Sequence, residues 1–319
     1  MPSPDPRRRS KPPRITTLGD LMLDAVITPS RPLERGTDVP GRVALRQGGS
    51  AANTARWLAR LGSKSTLVTS VGRDVVGRAL VEALRRDGVT VRASRVGGTP
   101  TGRIGVIVMF GGERSFVADR GAADELRPED LRPGWFTTDL LHLPVYSLIG
   151  APLGDAGRRA VGLARAAGAL ISVDLASAAP LLAKGRRAAH RLVAEVSPDI
   201  LFSTAAEAEA YLGGYDVGGL IDSAPLSIVK RGAGGATLLF RDAGTGGGTV
   251  LRFEVATPPL TATDTTGAGD AFDAGFLAAF LATPAEGRYR PAALRRAALA
   301  GHRAAARQLT TGSPELPLG

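Results

Sequence analysis

Short hydrophobic runs alternate with amphipathic segments along most of this chain. The clearest of these stretches are, in chain order, 66–71, 75–84, 140–143, 157–167, 170–173, 200–202 and 226–229. Strand-like and helix-like segments in alternation are typical of βαβ units, in which each helix returns the chain to the same edge of the sheet. The pattern therefore predicts an α/β fold with a mainly parallel central sheet, helices on both of its faces and right-handed crossovers.

Two regions depart from this alternation, because strand-like segments follow one another there without a helix between them. They cover about 28–47 and 89–117, and within the second an apolar stretch, 104–110, lies between turn-forming glycines. On the pattern alone, the two regions are equally consistent with a pair of local hairpins.

The most distinctive polar segment of the chain leads directly into an apolar, small-residue helix. Backbone N–H groups of Gly267, Ala268 and Gly269 would point outward from the start of that helix, where they attract anions. Asp270 would repel a phosphate there unless it accepts a proton from an attacking hydroxyl, so the segment predicts a general base for phosphoryl transfer. The alternative is that Asp264 and Asp270 cap the helix while the glycines form a turn.

A second glycine pair, Gly48 and Gly49, also leads into a helix. Apolar residues follow at helical spacing, and Gly62 ends the segment. Asn53 lies near the start of this helix and offers both a hydrogen-bond donor and an acceptor.

With both segments, the chain resembles the PfkB family of carbohydrate kinases, which have the ribokinase-like fold. The first signature includes Gly48, Asn53, Ala55, Gly62 and Gly72, and the second includes Asp264, Gly267, Ala268, Gly269, Asp270, Ala274 and Gly275. The resemblance implies a three-layer α/β/α sandwich with a mainly parallel central sheet. It also implies a small β-sheet lid, formed by 28–47 and 89–117, that closes over the substrate and pairs with its counterpart in a homodimer.

The resemblance covers roughly 15–313, which is therefore the expected kinase domain. The segment 1–14 is rich in proline and basic residues and cannot build a core, so we expect a disordered tail there. Residues 314–319 are expected to be a short C-terminal tail.

In the expected acceptor site, the resemblance assigns Asp24 to grip sugar hydroxyls. Gly48, Gly49 and Asn53 join it as substrate-binding residues. Arg103, together with Arg120, is a candidate partner for the carboxylate of a sugar acid. Without the resemblance, Asp24 would be interpreted as a surface acid, Asn53 as a helix-start residue and the arginines as solvated strand residues.

The expected nucleotide site begins with an Asn-x-x-Glu motif that orders Mg2+ through water in this family. Glu207 matches the acid of that motif, whereas Thr204 stands in place of the asparagine and loses one amide contact. Lys230 and Gly232 are expected beside the ATP phosphates. The alternatives are an exposed helix charge for Glu207 and a basic β-turn around Lys230.

The adenine and ribose pocket is expected between the turn before Asp264 and the C-terminal helix, 292–309, with Gly312 near its rim. The expected nucleotide contacts are completed by Thr265, Gly267 and Gly269. Some relatives bind a monovalent cation next to the anion hole, and the acid Asp264 and the carbonyl of Thr266 are the matching K+ ligands here.

Composition narrows the remaining classes of function. The 319-residue chain is 44% hydrophobic, which is ample for the core of a globular α/β protein. It contains no cysteine, so disulfides and thiolate metal sites are excluded. Its net charge of +10 is spread along several helices, so we expect no nucleic-acid partner. No apolar run is long enough to cross a bilayer, so we expect no membrane partner and a cytoplasmic location.

Together these features predict an ATP- and Mg2+-dependent kinase that transfers the terminal phosphoryl group directly to a hydroxyl of a small sugar. Ser50 stands where ribokinase-type sequences usually have lysine, so ribose itself is not specified. A neutral furanose-type sugar is the first candidate acceptor. A 2-keto-3-deoxygluconate-type sugar acid and a nucleoside are alternatives, and a non-catalytic ATP- or sugar-binding protein is the alternative of another class.

Overall fold

The computed structural model describes residues 11–109, 114–242, 249–260 and 264–316. Most of the expected N-terminal tail therefore lies outside the described residues. The α-helices in the described ranges are α1 (Ser50–Arg60), α2 (Val75–Arg86), α3 (Leu153–Ala166), α4 (Ala178–Leu182), α5 (Arg186–Val196), α6 (Ala205–Leu212), α7 (Ala268–Ala282) and α8 (Pro291–Thr311).

Within the described residues, nine strands form one large twisted sheet. They are β1 (Arg14–Leu18), β4 (Lys64–Gly72), β5 (Thr90–Val96), β8 (Leu140–Pro144), β9 (Leu170–Asp174), β10 (Ile200–Thr204), β11 (Leu226–Lys230), β12 (Ala236–Asp242) and β13 (Thr249–Val255). Their order is β13-β12-β11-β10-β9-β8-β1-β4-β5, and only the pairs made by β12 are antiparallel. The prediction of a mainly parallel central sheet is confirmed.

Helices cover both faces of the large sheet and bury two separate apolar clusters. On one face, α3, α5 and α6 pack through residues such as Ala160, Val193 and Tyr211. On the other face, α1, α7 and α8 contribute residues such as Phe276 and Leu294. Since strands buried on both faces must be apolar throughout, this layering explains the continuous hydrophobic runs in the sequence.

Four further strands of the described chain form a second sheet, which we call the small sheet. They are β2 (Met22–Pro29), β3 (Gly41–Gly48), β6 (Arg103–Val108) and β7 (Arg114–Asp119), in the order β3-β2-β6-β7. The limits differ from the expected lid segments, because β5 pairs in parallel with β4 in the large sheet. Val89 and Val91 explain this placement, since both are buried in the cluster beneath α2.

The register of the small sheet decides which side chains share a face. Asp24 pairs with Arg46 and with Ile104, so these three residues lie on one face. Leu23 pairs with Arg103, which therefore lies on the opposite face. This difference of one residue separates two of the expected acceptor-site residues, Asp24 and Arg103.

The C-terminal segment after α8 returns to the small sheet. Glu315 forms an isolated antiparallel bridge with Arg46, and Leu316 donates its backbone N–H to the Leu45 carbonyl at 2.7 Å. The Leu316 side chain is buried in the cluster beneath α2. The expected C-terminal tail is thus part of the fold as far as residue 316, and 317–319 lie outside the described residues.

Helix α7 is apolar on nearly all sides because it is packed between α1 and α8. None of the helices in the described ranges combines the length and hydrophobicity that crossing a bilayer requires. The contact of α7 with α8 is close: a Cβ at Gly275 would lie 2.6 Å from the carbonyl oxygen of Ala300. The backbones of α7 and α8 are consequently in close contact at Gly275, in the middle of α7.

We predict that Gly275→Ala destabilises the fold by about 1–3 kcal/mol, because the two helices must move apart to admit the methyl group. The matched control is Gly162→Ala in α3, where an added Cβ would meet nothing within 4 Å. That change should stabilise the protein by about 0.5–1 kcal/mol through helix propensity. Urea unfolding of both variants measures the two effects, and equal changes in the free energy of unfolding would contradict the packing argument.

Candidate active site

The first turn of α7 forms a cluster of main-chain donors. Gly267 precedes the helix with φ +73° and provides no side-chain cap. The N–H groups of Gly269 and Asp270 belong to the first turn, so the helix itself offers them no acceptor. The Ala268 N–H makes a long 3.3 Å hydrogen bond to the Thr265 carbonyl, a contact that the sequence did not indicate. An anion at this helix start would meet the open N–H groups and the positive end of the helix dipole.

The carboxylate of Asp270 is hydrogen-bonded to the start of α1. Ser50 Oγ donates to Asp270 Oδ1 at 2.6 Å, and Asn53 Nδ2 donates to Oδ2 at 2.9 Å. Asn53 is itself oriented by Gln47, whose Nε2 donates to Asn53 Oδ1 at 3.0 Å. Asp270 is therefore fixed in one orientation by side chains that lie more than two hundred positions earlier in the chain.

Two opposing effects set the proton affinity of Asp270. Burial disfavours its charged form and raises the pKa, while the hydrogen bonds from Ser50 and Asn53 lower it. The negative charge of Asp174 raises it further and the positive charge of Lys230 lowers it, and the resulting pKa is about 6. The carboxylate is thus ionised at neutral pH and more basic than an ordinary aspartate, which suits a proton acceptor.

Near Asp270 lie buried polar atoms without a partner in the described part of the chain, and we call the region around them the cleft. Gly48 lies directly against the Asp24 carboxylate, where any side chain at position 48 would overlap it. Burial, together with the charges of Asp20 and Asp270, raises the pKa of Asp24 to about 7. Asp24 Oδ1 and Arg46 Nε, whose residues share one face of the small sheet, are two of the buried atoms that have no hydrogen-bond partner within the described residues. Such atoms are costly unless a ligand or water satisfies them.

The remaining expected acceptor residues are placed differently. Gly49 precedes α1 with φ +98° and packs against the Asp20 backbone. Arg103 is exposed on the opposite face of the small sheet, away from Asp24. Arg120 is held by Asp124 at 2.7 Å and lies 3.4 Å from Asp20. The position of Arg103 separates it from Asp24 and Arg46, so Arg103 is not placed to meet a sugar-acid carboxylate beside them, whereas Arg120 is already engaged by two acids.

The loop before α7 is held by two arginines from the small sheet. Asp264 Oδ2 accepts from Arg46 at 2.9 Å, and Asp264 Oδ1 lies 3.0 Å from Arg114. Arg114 also donates to Thr266 Oγ1 at 2.7 Å, and Gln308 Nε2 donates to the Thr266 carbonyl at 3.0 Å. Burial alone would raise the pKa of Asp264, but the hydrogen bonds from Thr266 and the nearby guanidinium groups outweigh it, so the pKa is lowered.

On the other side of the α7 start lies a cavity of about 620 Å³. The expected nucleotide residues that line it are Thr204, Lys230, Gly232, Thr265 and Gly269. Residues 257–260 and the α8 side chains His302 and Leu309 form its more apolar walls. Gly312 follows the last residue of α8 and does not line the cavity, whereas Leu309 in the last turn of that helix does. The volume is in the range of small-molecule and cofactor sites.

Thr204 and Glu207 form a reciprocal cap at the start of α6. The Glu207 N–H donates to Thr204 Oγ1 at 3.2 Å, and the Thr204 N–H donates to Glu207 Oε2 at 2.8 Å. Burial and the neighbouring Asp174 charge raise the pKa of Glu207. Thr204 and Glu207 thus cap α6, a role that the sequence analysis did not predict, and the acid also lies near the charged groups beneath the cavity.

Lys230 lies in a buried charge cluster rather than on an open turn. Its Nζ is 3.1 Å from both Asp174 Oδ2 and Asp273 Oδ1. Burial would lower the pKa of Lys230, but the carboxylates of Asp174, Asp273 and Glu207 raise it, so the ammonium stays charged. Burial raises the pKa of Asp273 well above its usual range. Lys230 therefore joins the ends of β9 and β11 to α7 while it faces the cavity.

Sequence reasoning missed several of these residues. Asp174 had a usable signal, because it directly follows an apolar strand, where ligands of open α/β sheets bind. Ser50 and Gln47 flank the glycine pair but have no distinctive residue type. The contacts of Arg46 and Arg114 with Asp264 could not be predicted, since this shared partner is remote in sequence.

Among the described residues, there is no group of three or more His, Cys, Asp or Glu side chains that could hold a metal ion. Mg2+ usually keeps several waters and binds through one or two carboxylates and substrate phosphates. Glu207 and Asp174, next to the cavity, are compatible with that mode of binding.

Comparisons with known proteins agree with this geometry. A fructokinase from Klebsiella pneumoniae is 30% identical over 279 residues, which cover 84% of this chain and 85% of the relative. Adenosine kinase from Sinorhizobium meliloti superimposes with a TM-score of 0.80 at 24% identity, covering 97% of both chains. The E.coli protein called ribokinase II, solved with ATP and Mg2+, superimposes with a TM-score of 0.74 at 25% identity, covering 92% of this chain and 93% of that one.

The profile of the pfkB family carbohydrate kinases matches residues 13–318. The ribokinase-like fold class expected from the sequence is therefore confirmed. The chain belongs to the pfkB family of carbohydrate kinases, which are phosphotransferases that act on a hydroxyl group.

Proposed function

We propose that this protein is an ATP-dependent sugar kinase that transfers the γ-phosphoryl group to a hydroxyl of a small neutral sugar. The observation that carries the proposal is the position of the α7 start between two sub-sites. A Cβ at Gly267 would lie 3.6 Å from Asn53 Nδ2, on the acceptor side, and a Cβ at Gly269 would lie 3.4 Å from Lys230 Nζ, on the cavity side. Open main-chain donors thus lie between a basic carboxylate and a nucleotide-sized cavity.

The unpartnered atoms of the cleft support a polyhydroxylated acceptor. Asp24 Oδ1 accepts hydrogen bonds, and Arg46 Nε donates one. A sugar hydroxyl does both, so neighbouring hydroxyls of one sugar would satisfy both atoms. The fructokinase relative from Klebsiella pneumoniae supports a ketose or furanose-type sugar as the first candidate.

The cavity on the other side of α7 suits ATP. Its apolar walls at residues 257–260 and α8 would take the adenine, while Lys230, Gly232 and Gly269 lie at the phosphate end. Glu207 and Asp174 would hold Mg2+ through water. Bound there, Mg2+ would neutralise phosphate charge. The ATP and Mg2+ bound to the E.coli relative support this assignment.

In the proposed reaction, Asp270 accepts the proton of the attacking hydroxyl while that oxygen bonds to the γ-phosphorus. The bond to the β–γ bridging oxygen breaks, and ADP leaves with the electron pair. The first-turn N–H groups of α7, with Gly267 and Gly269 allowing close approach, stabilise the equatorial oxygens. Ser50 and Asn53 keep Asp270 oriented throughout. No phosphoenzyme is formed.

The small sheet is proposed to act as a lid over the acceptor and as the contact surface of a homodimer. Several large apolar side chains are exposed on it: Val43 by 65% and Val117 by 66% on one face, and Phe116 by 61% on the face of Asp24. Exposed apolar groups are typical of an interaction surface, so the face of Val43 and Val117 is the proposed dimer contact and Phe116 lies on the acceptor side. Exclusion of water by the closed sheet would prevent hydrolysis of ATP in place of transfer.

Replacement of the proton acceptor is the direct test of the mechanism. We expect Asp270→Asn to lower kcat by about a hundredfold or more while ATP affinity changes little. Asp155→Asn is the matched control, because Asp155 also lies in the first turn of a helix but is exposed. Coupled ADP-release kinetics and ATP titration measure both quantities, and unchanged turnover in Asp270→Asn would remove the general base from the proposal.

The raised carboxylate pKa values predict an acid limb in the pH profile. Asp24, with a pKa of about 7, and Asp270, with a pKa of about 6, are both ionised only above those values. The acceptor kcat/KM should therefore fall as pH drops from about 7 through 6. Asn53→Ala removes a hydrogen bond that lowers the Asp270 pKa, so its acid limb should shift to higher pH. A limb at the ordinary aspartate value near 4 would contradict this account.

A substrate panel decides the acceptor and separates an enzyme from a binding protein. Neutral hexoses and pentoses, sugar acids and nucleosides are each assayed for ADP release with ATP and Mg2+. We expect the highest kcat/KM for a neutral ketose or furanose-type sugar, because Arg103 lies on the opposite face of the small sheet and Arg120 is already paired with Asp20 and Asp124. Preference for a sugar acid or a nucleoside would replace the proposed acceptor. Absence of acceptor-stimulated turnover would favour a non-catalytic ATP- or sugar-binding protein.

A further inference from the structure

The loop beside the anion hole contains the two residues expected to bind a monovalent cation, Asp264 and Thr266. Each of their candidate ligand atoms already accepts a hydrogen bond from a protein donor. Both Asp264 oxygens face guanidinium groups, at 2.9 and 3.0 Å. The Thr266 carbonyl accepts from Gln308 at 3.0 Å. The residues present therefore do not fit a K+ ion, which requires oxygen ligands and is repelled by cations.

The charge around this loop also disfavours a bound K+ ion. Arg46 and Arg114 carry two positive charges against the single negative charge of Asp264, so these three side chains together carry a net positive charge. The side chains are largely withdrawn from solvent, with exposed fractions of 23% for Arg46 and 11% for Arg114. Screening by salt is weak at such positions, so the charge acts on a phosphoryl group nearby.

We propose that Arg46 and Arg114 are positioning residues that take the place of the monovalent cation, so that phosphoryl transfer by this protein is independent of K+. This inference rests on the proposed kinase function. The guanidinium groups hold Asp264 and Thr266 in the conformation that begins α7, and their charge favours the anion at that helix start. Because β3 and β7 supply them, the small sheet delivers this charge to the phosphoryl-transfer site.

The test compares K+ with tetramethylammonium, a cation too large for such a site and without hydroxyl groups, at equal ionic strength. Wild-type turnover should agree within about twofold in the two salts. The double variant Arg46→Gln/Arg114→Gln should lose about tenfold in kcat in tetramethylammonium and regain part of it in K+, since Asp264 and Thr266 are then available as ligands. Arg114→Lys should retain more activity than Arg114→Gln. The control is Arg42→Gln, because Arg42 lies in β3 like Arg46 but is exposed and pairs with Glu315.

The midpoint of thermal unfolding without substrates gives a second readout that does not depend on kinase activity. We expect K+ to raise the midpoint of the double variant and to leave the wild type and Arg42→Gln unchanged. A K+ response of the wild type in either readout would overturn the inference. The inference would also be overturned if K+ changed neither the unfolding midpoint nor the turnover of the double variant. If no acceptor is phosphorylated by any variant, the proposed function fails, and the unfolding data alone decide the inference.

Discussion

The structure depends most on the hydrogen bonds that join Asp270 to the start of α1. Ser50 and Asn53 are separated from Asp270 by 220 and 217 positions in sequence, so these bonds form only when the whole domain has folded. The entropic cost of bringing these groups together is offset by folding, so substrate binding does not have to supply that free energy. The acid is thereby oriented before any ligand binds, and the same bonds hold its pKa in the range where it is ionised yet basic.

Most of the buried charged side chains around the α7 start contact a side chain of opposite charge. Lys230 compensates Asp174 and Asp273, while Arg46 and Arg114 compensate Asp264. Asp24 differs, because one of its oxygens has no partner among the described residues. An unsatisfied buried carboxylate costs free energy that a well-folded protein normally avoids. Its retention beside Gly48 is consistent with a ligand hydroxyl as the missing partner.

Sequence reasoning was most successful where local pattern determines structure. Apolar runs predicted the large sheet, and the Gly267–Asp270 segment predicted the start of a helix, because both depend on neighbours in the chain. Sequence reasoning was less successful where the register of a sheet decides on which face a side chain lies. Arg103 and Ile104 differ by one position but lie on opposite faces of the small sheet, and β5 left the expected lid because Val91 packs beneath α2. Partners remote in sequence, such as Arg114 and Asp264, left no local signal at all.

The change from asparagine to threonine at position 204 has a structural explanation in the cap of α6. A threonine hydroxyl accepts the Glu207 N–H as an asparagine side chain would, and Glu207 returns a bond to the Thr204 N–H. The substitution therefore keeps the helix start that orients Glu207 towards the buried charges of Asp174 and Lys230. A threonine side chain cannot supply the second hydrogen bond that an asparagine amide would offer to the phosphates of the proposed nucleotide. Lys230 and Gly269, which lie at the same end of the cavity, are the groups left to make up that contact.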